Sequence, residues 1–252
     1  MRETLEVLEV SIDRVTLSQA EQATWDFLKQ DKAHMIFTPN SEIIMVAQQD
    51  KELKDVLNSG DLIIADGIGV VYASKILKKP IAERVAGFDL AKQIIEKLPQ
   101  KEHKLYFLGG KPGVAKAAKD NLEKQYPGIQ IVGTHDGYFD EEQEAEIIHE
   151  INQLKPDILF VCLGMGKQEK WIYNHRGKLS VKVCMGIGGS LDVFAGRVQR
   201  APDFYCKYGL EWFYRLVKEP WRYKRMLALP KFALMVLLKG KRQACNSEEG
   251  TS

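Results

Sequence analysis

Short apolar runs alternate with amphipathic, helix-like segments along residues 1–200, and this rhythm limits the fold more than any other feature of the chain. LEVLEVSI, HMIFT, DLIIAD, KLYFLGG, IQIVG, DILFVCLG and VKVCMGIGG are the strand candidates. Apolar runs of this length, separated by helix-sized polar segments, predict a mostly parallel sheet covered by helices, because parallel strands are buried on both faces. The expected class is α/β, with a Rossmann-like sheet. Ser18 with Glu21 has the spacing of a capping box, and Asp140 with Gln143 repeats it ahead of EEQEAEIIHEINQLK. Of the 252 residues, 45% are hydrophobic, enough for one substantial core and a smaller appendage.

The character of the chain changes between Arg200 and Asp203. From Phe204 to Gln243 there are ten Lys or Arg against two Glu, a local net charge of +8 in a chain whose total is +2. Nine aromatic residues, Trp212 and Trp221 among them, are interleaved with these charges. We therefore divide the chain into a catalytic α/β domain over 1–200, a helical basic and aromatic appendage over 201–243, and a flexible tail over 244–252. The tail is small, polar and without periodicity. Within the appendage, the apolar stretch from Met226 to Leu238 is broken by Pro230 and Lys231 and is too short to span a bilayer, which needs roughly twenty apolar residues. Aromatic and basic residues together suit the membrane interface instead. A dimerising helix pair covering the same apolar face is the alternative, so a homo-oligomer stays open. Nucleic acid is not an expected partner, since a long aliphatic run fits poorly in a wet, phosphate-facing groove. The N-terminus lacks an uninterrupted hydrophobic region and the four cysteines lack metal or redox spacing, so the expected location is the cytoplasm, peripherally at the inner face of the cell membrane.

Ligands of open α/β sheets bind beyond the carboxyl ends of the strands, so the residues that close each apolar run are the site candidates. These are Thr38-Pro39-Asn40, Asp66-Gly67, Gly109-Gly110-Lys111, Gly164-Met165-Gly166-Lys167-Gln168 and Gly186-Ile187-Gly188. Glycine turns let backbone N–H groups approach an anion, and a following helix N-terminus favours negative charge, so a diphosphate fits there. Glycine serving only the geometry of a strand-to-helix turn is the alternative. GMGKQ lacks the outer Gly and the hydroxyl residue of a P-loop, and GIGGSL lacks the last Gly or Ala of a dinucleotide fingerprint. No Asp-x-Asp motif offers carboxylates to a metal on the diphosphate, and the five histidines have no ligand spacing; no metal and no cofactor are expected.

Asp66, closing an apolar strand at the rim, is the carboxylate placed to act as a base, although an Asp-Gly turn would explain it as well. Thr38 and Asn40 could share its cleft. Arg84 could face phosphate or acceptor, or simply form a surface ion pair. Asp136 and Asp192 lie in further rim loops, where each could read a uracil or ribose edge or merely shape a turn.

Taken together, FTPNSE from Thr38 to Glu42, IADGIGVV around Asp66, RVAGFDL at Arg84 to Leu90, FLGGKPG, DGYF, LGMGKQEKW and GIGGSLDVFAG followed by RAP resemble the WecG/TagA/CpsF glycosyltransferase family. The resemblance covers nearly all of residues 1–203, and WFYRL with EPWRYKRM is similar to the family's C-terminal appendage. It implies an inverting, metal-independent transfer of N-acetylmannosamine from its UDP donor to undecaprenyl-diphosphate-linked N-acetylglucosamine, forming a β-1,4 bond of the wall teichoic acid linkage unit. It further implies Asp66 as base with Thr38 and Asn40 beside it. It implies too that Gln168 and the glycine turns, with Gly109, Gly110, Gly164 and Gly188, hold the donor, and that the appendage arginines Arg215, Arg222 and Arg225 reach the active site; on the reading of the strand ends, Lys111, Asp136 and Asp192 join the donor residues and Arg84 the phosphate or acceptor residues. Another UDP sugar as donor, or a non-catalytic nucleotide-binding module tethered to membranes, are the alternatives.

Overall fold

A computed structural model of the chain describes residues 3–223 and 227–249. Six strands form one parallel sheet: β3 (His34–Phe37), β4 (Leu62–Ile63), β5 (Lys104–Gly109), β6 (Gln130–His135), β7 (Ile158–Cys162) and β8 (Val183–Gly186). Their spatial order is β4-β3-β8-β7-β5-β6. Each of these strands sends alternate residues to opposite faces. On β5, Leu105 and Phe107 enter one core while Tyr106 and Leu108 enter the other; on β7, Ile158 and Phe160 are divided in the same way from Leu159 and Val161. Burial on both faces explains why the runs read as continuous apolar segments.

One face carries α2 (Ser41–Ala47), α3 (Lys51–Asn58), α4 (Ile68–Ile76), α7 (Glu141–Leu154) and α8 (Lys167–His175); the other carries α1 (Leu17–Phe27), α5 (Gly87–Lys97), α6 (Val114–Gln125) and α9 (Ser190–Phe194). Neighbouring strands β5 and β7 therefore lead into helices on opposite faces, α6 and α8. That reversal opens a crevice at their carboxyl ends.

LEVLEVSI is not a strand of the main sheet. It folds back on itself as an antiparallel hairpin of β1 (Thr4–Val7) and β2 (Val10–Asp13). The turn is made by Leu8 and Glu9, both with positive φ, +48° and +64°. Hairpin turns of this kind normally announce themselves with Asn or Gly, and neither is present. The hairpin shields the open edge of the sheet, where the buried Asp13 carboxylate accepts the Ile63 N–H at 2.7 Å. The first capping box also lies two residues earlier than expected: Thr16 caps α1, exchanging hydrogen bonds with Gln19. Glu21 turns inward to accept from Trp25 Nε1 at 2.8 Å and to pair with Lys97 at 2.6 Å. The Asp140–Gln143 box forms as expected.

Beyond residue 200 come α10 (Asp203–Lys207), α11 (Glu211–Lys218) and α12 (Ala228–Glu249). Phe232 and Val236 of α12 are buried in the core shared with α2 and α4, and Lys239 pairs with Glu6 at 2.7 Å. The appendage is thus anchored on the α/β body through its longest helix. Helix α12 also runs through 244–249, a stretch expected as a tail; Gln243, Ala244 and the two Glu favour helix without any apolar period to advertise it.

Candidate active site

The six parallel strands end on one rim, and two clefts open there. The first, of about 160 Å³, is lined by Asn40, Ser41, Asp66, Gly67, Arg84, Glu211, Trp212 and Arg215 among others. The second, of about 780 Å³, is lined by Gly110, Lys111, Tyr138, Gly164, Lys167, Gly188 and Asp192 among others. The rim is divided because Asp66 follows the edge strand β4, while the glycine turns close β5, β7 and β8. Two inter-strand spacings, about 10 Å, separate the ends of β4 and β8. Between them, Thr38 Oγ1 donates to the Gly186 carbonyl at 3.3 Å and ties the end of β3 to that of β8.

Two neighbouring segments hold Asp66 in place. Its N–H donates to the Pro39 carbonyl at 3.2 Å, which joins it to the Thr38–Asn40 turn. Its Oδ1 accepts the Gly87 N–H at 3.1 Å, at the start of α5. A Cβ on Gly87 would meet Thr38 Cγ2 at 3.0 Å, so a larger residue there would press on Thr38. Asn40 caps α2, with Oδ1 accepting from Glu42 N–H at 2.9 Å and Ile43 N–H at 3.1 Å. Burial pushes the Asp66 carboxyl up to about 7; the Gly87 N–H, Arg84 and Arg215 oppose the rise, and Glu211 adds to it. A carboxyl in this range, facing a cleft, exchanges a proton near neutral pH and is the stronger base for its raised affinity once ionised.

The cations beside Asp66 belong to an alternating network. Arg84 Nη1 donates to Glu211 Oε2 at 2.9 Å, and Arg215 Nη2 donates to Glu211 Oε1 at 2.7 Å. On the other side, Arg84 lies 3.9 Å from Asp89, which pairs with Arg200 at 2.6 Å. Burial opposes ionisation of Glu211, yet Arg215 and Arg84 hold its carboxyl below the usual range. Glu211, Asp89 and Arg200 escaped the sequence reading. Arg84 and Glu211 lie 127 positions apart, and a Glu in a basic segment carries no local sign of its partner.

The second cleft gathers the glycine turns. Gly109 has φ of +128°, and a Cβ there would fall 2.2 Å from the Cys162 carbonyl oxygen, so β5 passes β7 at a distance only glycine permits. Beside it, the Gly110 N–H donates to that same carbonyl at 2.9 Å. Gly164 and Gly188 have open space where a Cβ would point. Burial, with Asp192 nearby, pushes the Cys162 thiol up to about 12, so it remains a neutral wall of the cleft.

Two expected donor residues act locally. Asp136 does not line the cleft; its Oδ1 accepts the Tyr138 N–H at 2.9 Å and shapes the turn that presents the exposed Tyr138 ring at the mouth. Gln168 is only 4% exposed, its Oε1 accepting the Gly188 N–H at 3.2 Å and its Nε2 donating to Glu169 Oε1 at 2.8 Å. It therefore bears on the cleft through the Gly188 turn that it holds. The Arg222 side chain and all of Arg225 lie outside the described residues.

The model of the glycosyl transferase WecG/TagA/CpsF family matches residues 5–246. The N-acetylglucosaminyldiphosphoundecaprenol N-acetyl-beta-D-mannosaminyltransferase of Bacillus subtilis (strain 168) is 40% identical over 215 residues, covering 85% of this chain and 83% of that protein. The enzyme of the same name from Staphylococcus aureus (strain MRSA252) is 35% identical over 241 residues, covering 95% and 94%. Both the motif order along the strand ends and the near full-length match lead to one assignment: the chain belongs to the WecG/TagA/CpsF glycosyltransferase family.

Proposed function

We propose that the protein transfers N-acetylmannosamine from a UDP donor to undecaprenyl-diphosphate-linked N-acetylglucosamine, with inversion and without a metal, as a step of wall teichoic acid linkage-unit synthesis. The observation that carries this reading is the position of Asp66: one cleft-facing carboxyl, pushed up to about 7, with Arg84 and Arg215 alongside. The names of the two relatives support the acceptor and the β-mannosaminyl product.

In the mechanism, the diphosphate of the donor lies along the Gly110, Gly164 and Gly188 turns, where Lys111 or Lys167 receives its charge. The sugar extends along the rim past Thr38 toward Asp66. Asp66 takes the proton of the acceptor hydroxyl as that oxygen attacks the anomeric carbon, and UDP leaves from the opposite face. Asp192 lines the donor cleft and is free to meet the nucleoside, while Tyr138 offers a ring for the base. Arg84 and Arg215 receive the acceptor diphosphate, joined by Arg222 and Arg225.

Among the described residues, no helix is long and apolar enough to cross a membrane. The exposed Trp212, Phe213, Val217, Trp221, Tyr223, Leu234, Leu237 and Leu238, set among basic residues, support peripheral binding at the membrane surface that holds the acceptor. UDP release measured with and without the lipid acceptor tests the activity. Release only when acceptor and donor are both present agrees with it; binding of UDP without turnover would instead make the chain a nucleotide-binding module.

A further inference from the structure

We propose that Glu211 is a built-in, displaceable occupant of the acceptor-diphosphate subsite, its carboxylate filling the arginine fork that the incoming diphosphate must claim. This rests on the reading of Arg84 and Arg215 as diphosphate ligands. Each oxygen of Glu211 is engaged by a different guanidinium, Oε2 by Arg84 at 2.9 Å and Oε1 by Arg215 at 2.7 Å. Two arginines on two oxygens of one anion is the geometry in which a phosphate group would be held. All three side chains line the Asp66 cleft, and the Glu211 side chain is only 13% exposed.

The charge arrangement points the same way. With Glu211 in the fork, the cleft lining carries the carboxyls of Glu42, Asp66 and Glu211 beside the two cations Arg84 and Arg215. A polyanion arriving there gains little from a site already neutralised unless it replaces the carboxylate. Arg84 would not be stranded by the exchange, since Asp89 lies 3.9 Å away and is itself held by Arg200.

Local structure makes departure easy. Glu211 is the first residue of α11, and no residue of that helix is buried. Apolar burial therefore does little to hold its first turn, and the Glu211–Arg84 pair ties that turn to the body, whereas the Glu211–Arg215 pair lies within the helix. The preceding Gly209, with φ of +69° and packed on Ile68, gives the segment a fixed pivot. Acceptor binding then exchanges the Glu211 carboxylate for a diphosphate while Arg215 stays in the cleft, so that the arginine fork opens only when the lipid substrate has arrived.

Binding of inorganic pyrophosphate to the full-length protein, read by calorimetry, tests the exchange without any turnover. Glu211→Gln, which leaves the shape but removes the charge, is expected to tighten pyrophosphate binding roughly tenfold and to lower the KM for the lipid acceptor in parallel, with the donor KM unchanged. In Glu211→Gln combined with Arg215→Gln the gain disappears. If the Gln variant fails to fold, Glu211→Asp, which withdraws the carboxylate by one methylene, is expected to tighten binding in the same direction. Unchanged or weaker pyrophosphate binding in a folded variant overturns the proposal. A protein that shows the pyrophosphate effect but transfers no sugar to the lipid acceptor would refute the proposed function and leave the exchange standing.

Discussion

Replacing Asp66 with Asn separates the chemical role of this carboxyl from its structural cost, because the two effects have opposite signs. The folded state holds Asp66 near 7 against an ordinary value of 3.8. The folded protein therefore keeps a proton that the unfolded chain gives up between these values, and stability contributed by this group falls as pH rises from about 4 to about 7, then levels off. A shift of about three units, at about 1.4 kcal/mol each, sets the full penalty near 4 kcal/mol above pH 7 and only about 1 kcal/mol at pH 4.5. Asn does not ionise, and its side-chain oxygen can still accept from the Gly87 N–H. Asp66→Asn should therefore be more stable than the parent by several kcal/mol at about pH 8, with the gain shrinking toward zero at about pH 4, as read by urea unfolding followed by Trp fluorescence. Turnover should fall at least about 100-fold, the scale of a lost general base. A variant less stable than the parent at pH 8, or a stability difference that does not vary with pH, would refute the burial argument; near-normal turnover would refute the role as base.

Four further outcomes follow. The parent's kcat/KM should rise with pH and level off above about 7, since Asp66 must be ionised to accept a proton, and a rate falling through that interval would contradict the assignment. Gly109→Ala should destabilise the fold by about 3 kcal/mol or more, because its Cβ would overlap the Cys162 carbonyl, and thermal unfolding reads this directly. Gln168→Ala should raise the donor KM while leaving the acceptor KM near normal, as it frees the Gly188 turn without touching the Asp66 cleft; equal effects on both would place Gln168 elsewhere in the reaction. Activity should survive EDTA, and loss of activity restored by Mg²⁺ would show that a metal is required.

Most of what positions the site can be read from the strand ends. Thr38, Asp66, Gly110, Gly164 and Gly188 each follow an uninterrupted apolar run, and parallel strands bring all such ends to one rim. What the runs do not encode is the order of strands in space. Sequence alone could not place β4 at the edge and β8 between β3 and β7, so the partition into two clefts came only with the structure. The hairpin at Leu8-Glu9 was hidden because its backbone conformation is adopted by residues that rarely accept it. Thr16 displaced Ser18 as helix cap because Glu21, the other half of the expected box, is drawn into contact with Trp25 and Lys97. Gln168 and Asp136 carry polar groups at the right turns, but short-range hydrogen bonds engage both. Glu211 was illegible for a different reason: its partners, Arg84 and Arg215, meet only after the appendage docks on the body.

A donor panel most directly tests the central claim, that this rim transfers an N-acetylmannosaminyl group to a diphosphate-linked sugar. Full-length protein is incubated with lipid-linked N-acetylglucosamine and, separately, with UDP-N-acetylmannosamine, its uronic acid counterpart, UDP-N-acetylglucosamine or UDP-glucose, and the lipid product is weighed by mass spectrometry. The account predicts that UDP-N-acetylmannosamine extends the acceptor by one N-acetylhexosamine, and that Asp66→Asn abolishes this gain in mass. Extension with another donor and none with UDP-N-acetylmannosamine, or full extension by Asp66→Asn, would contradict it.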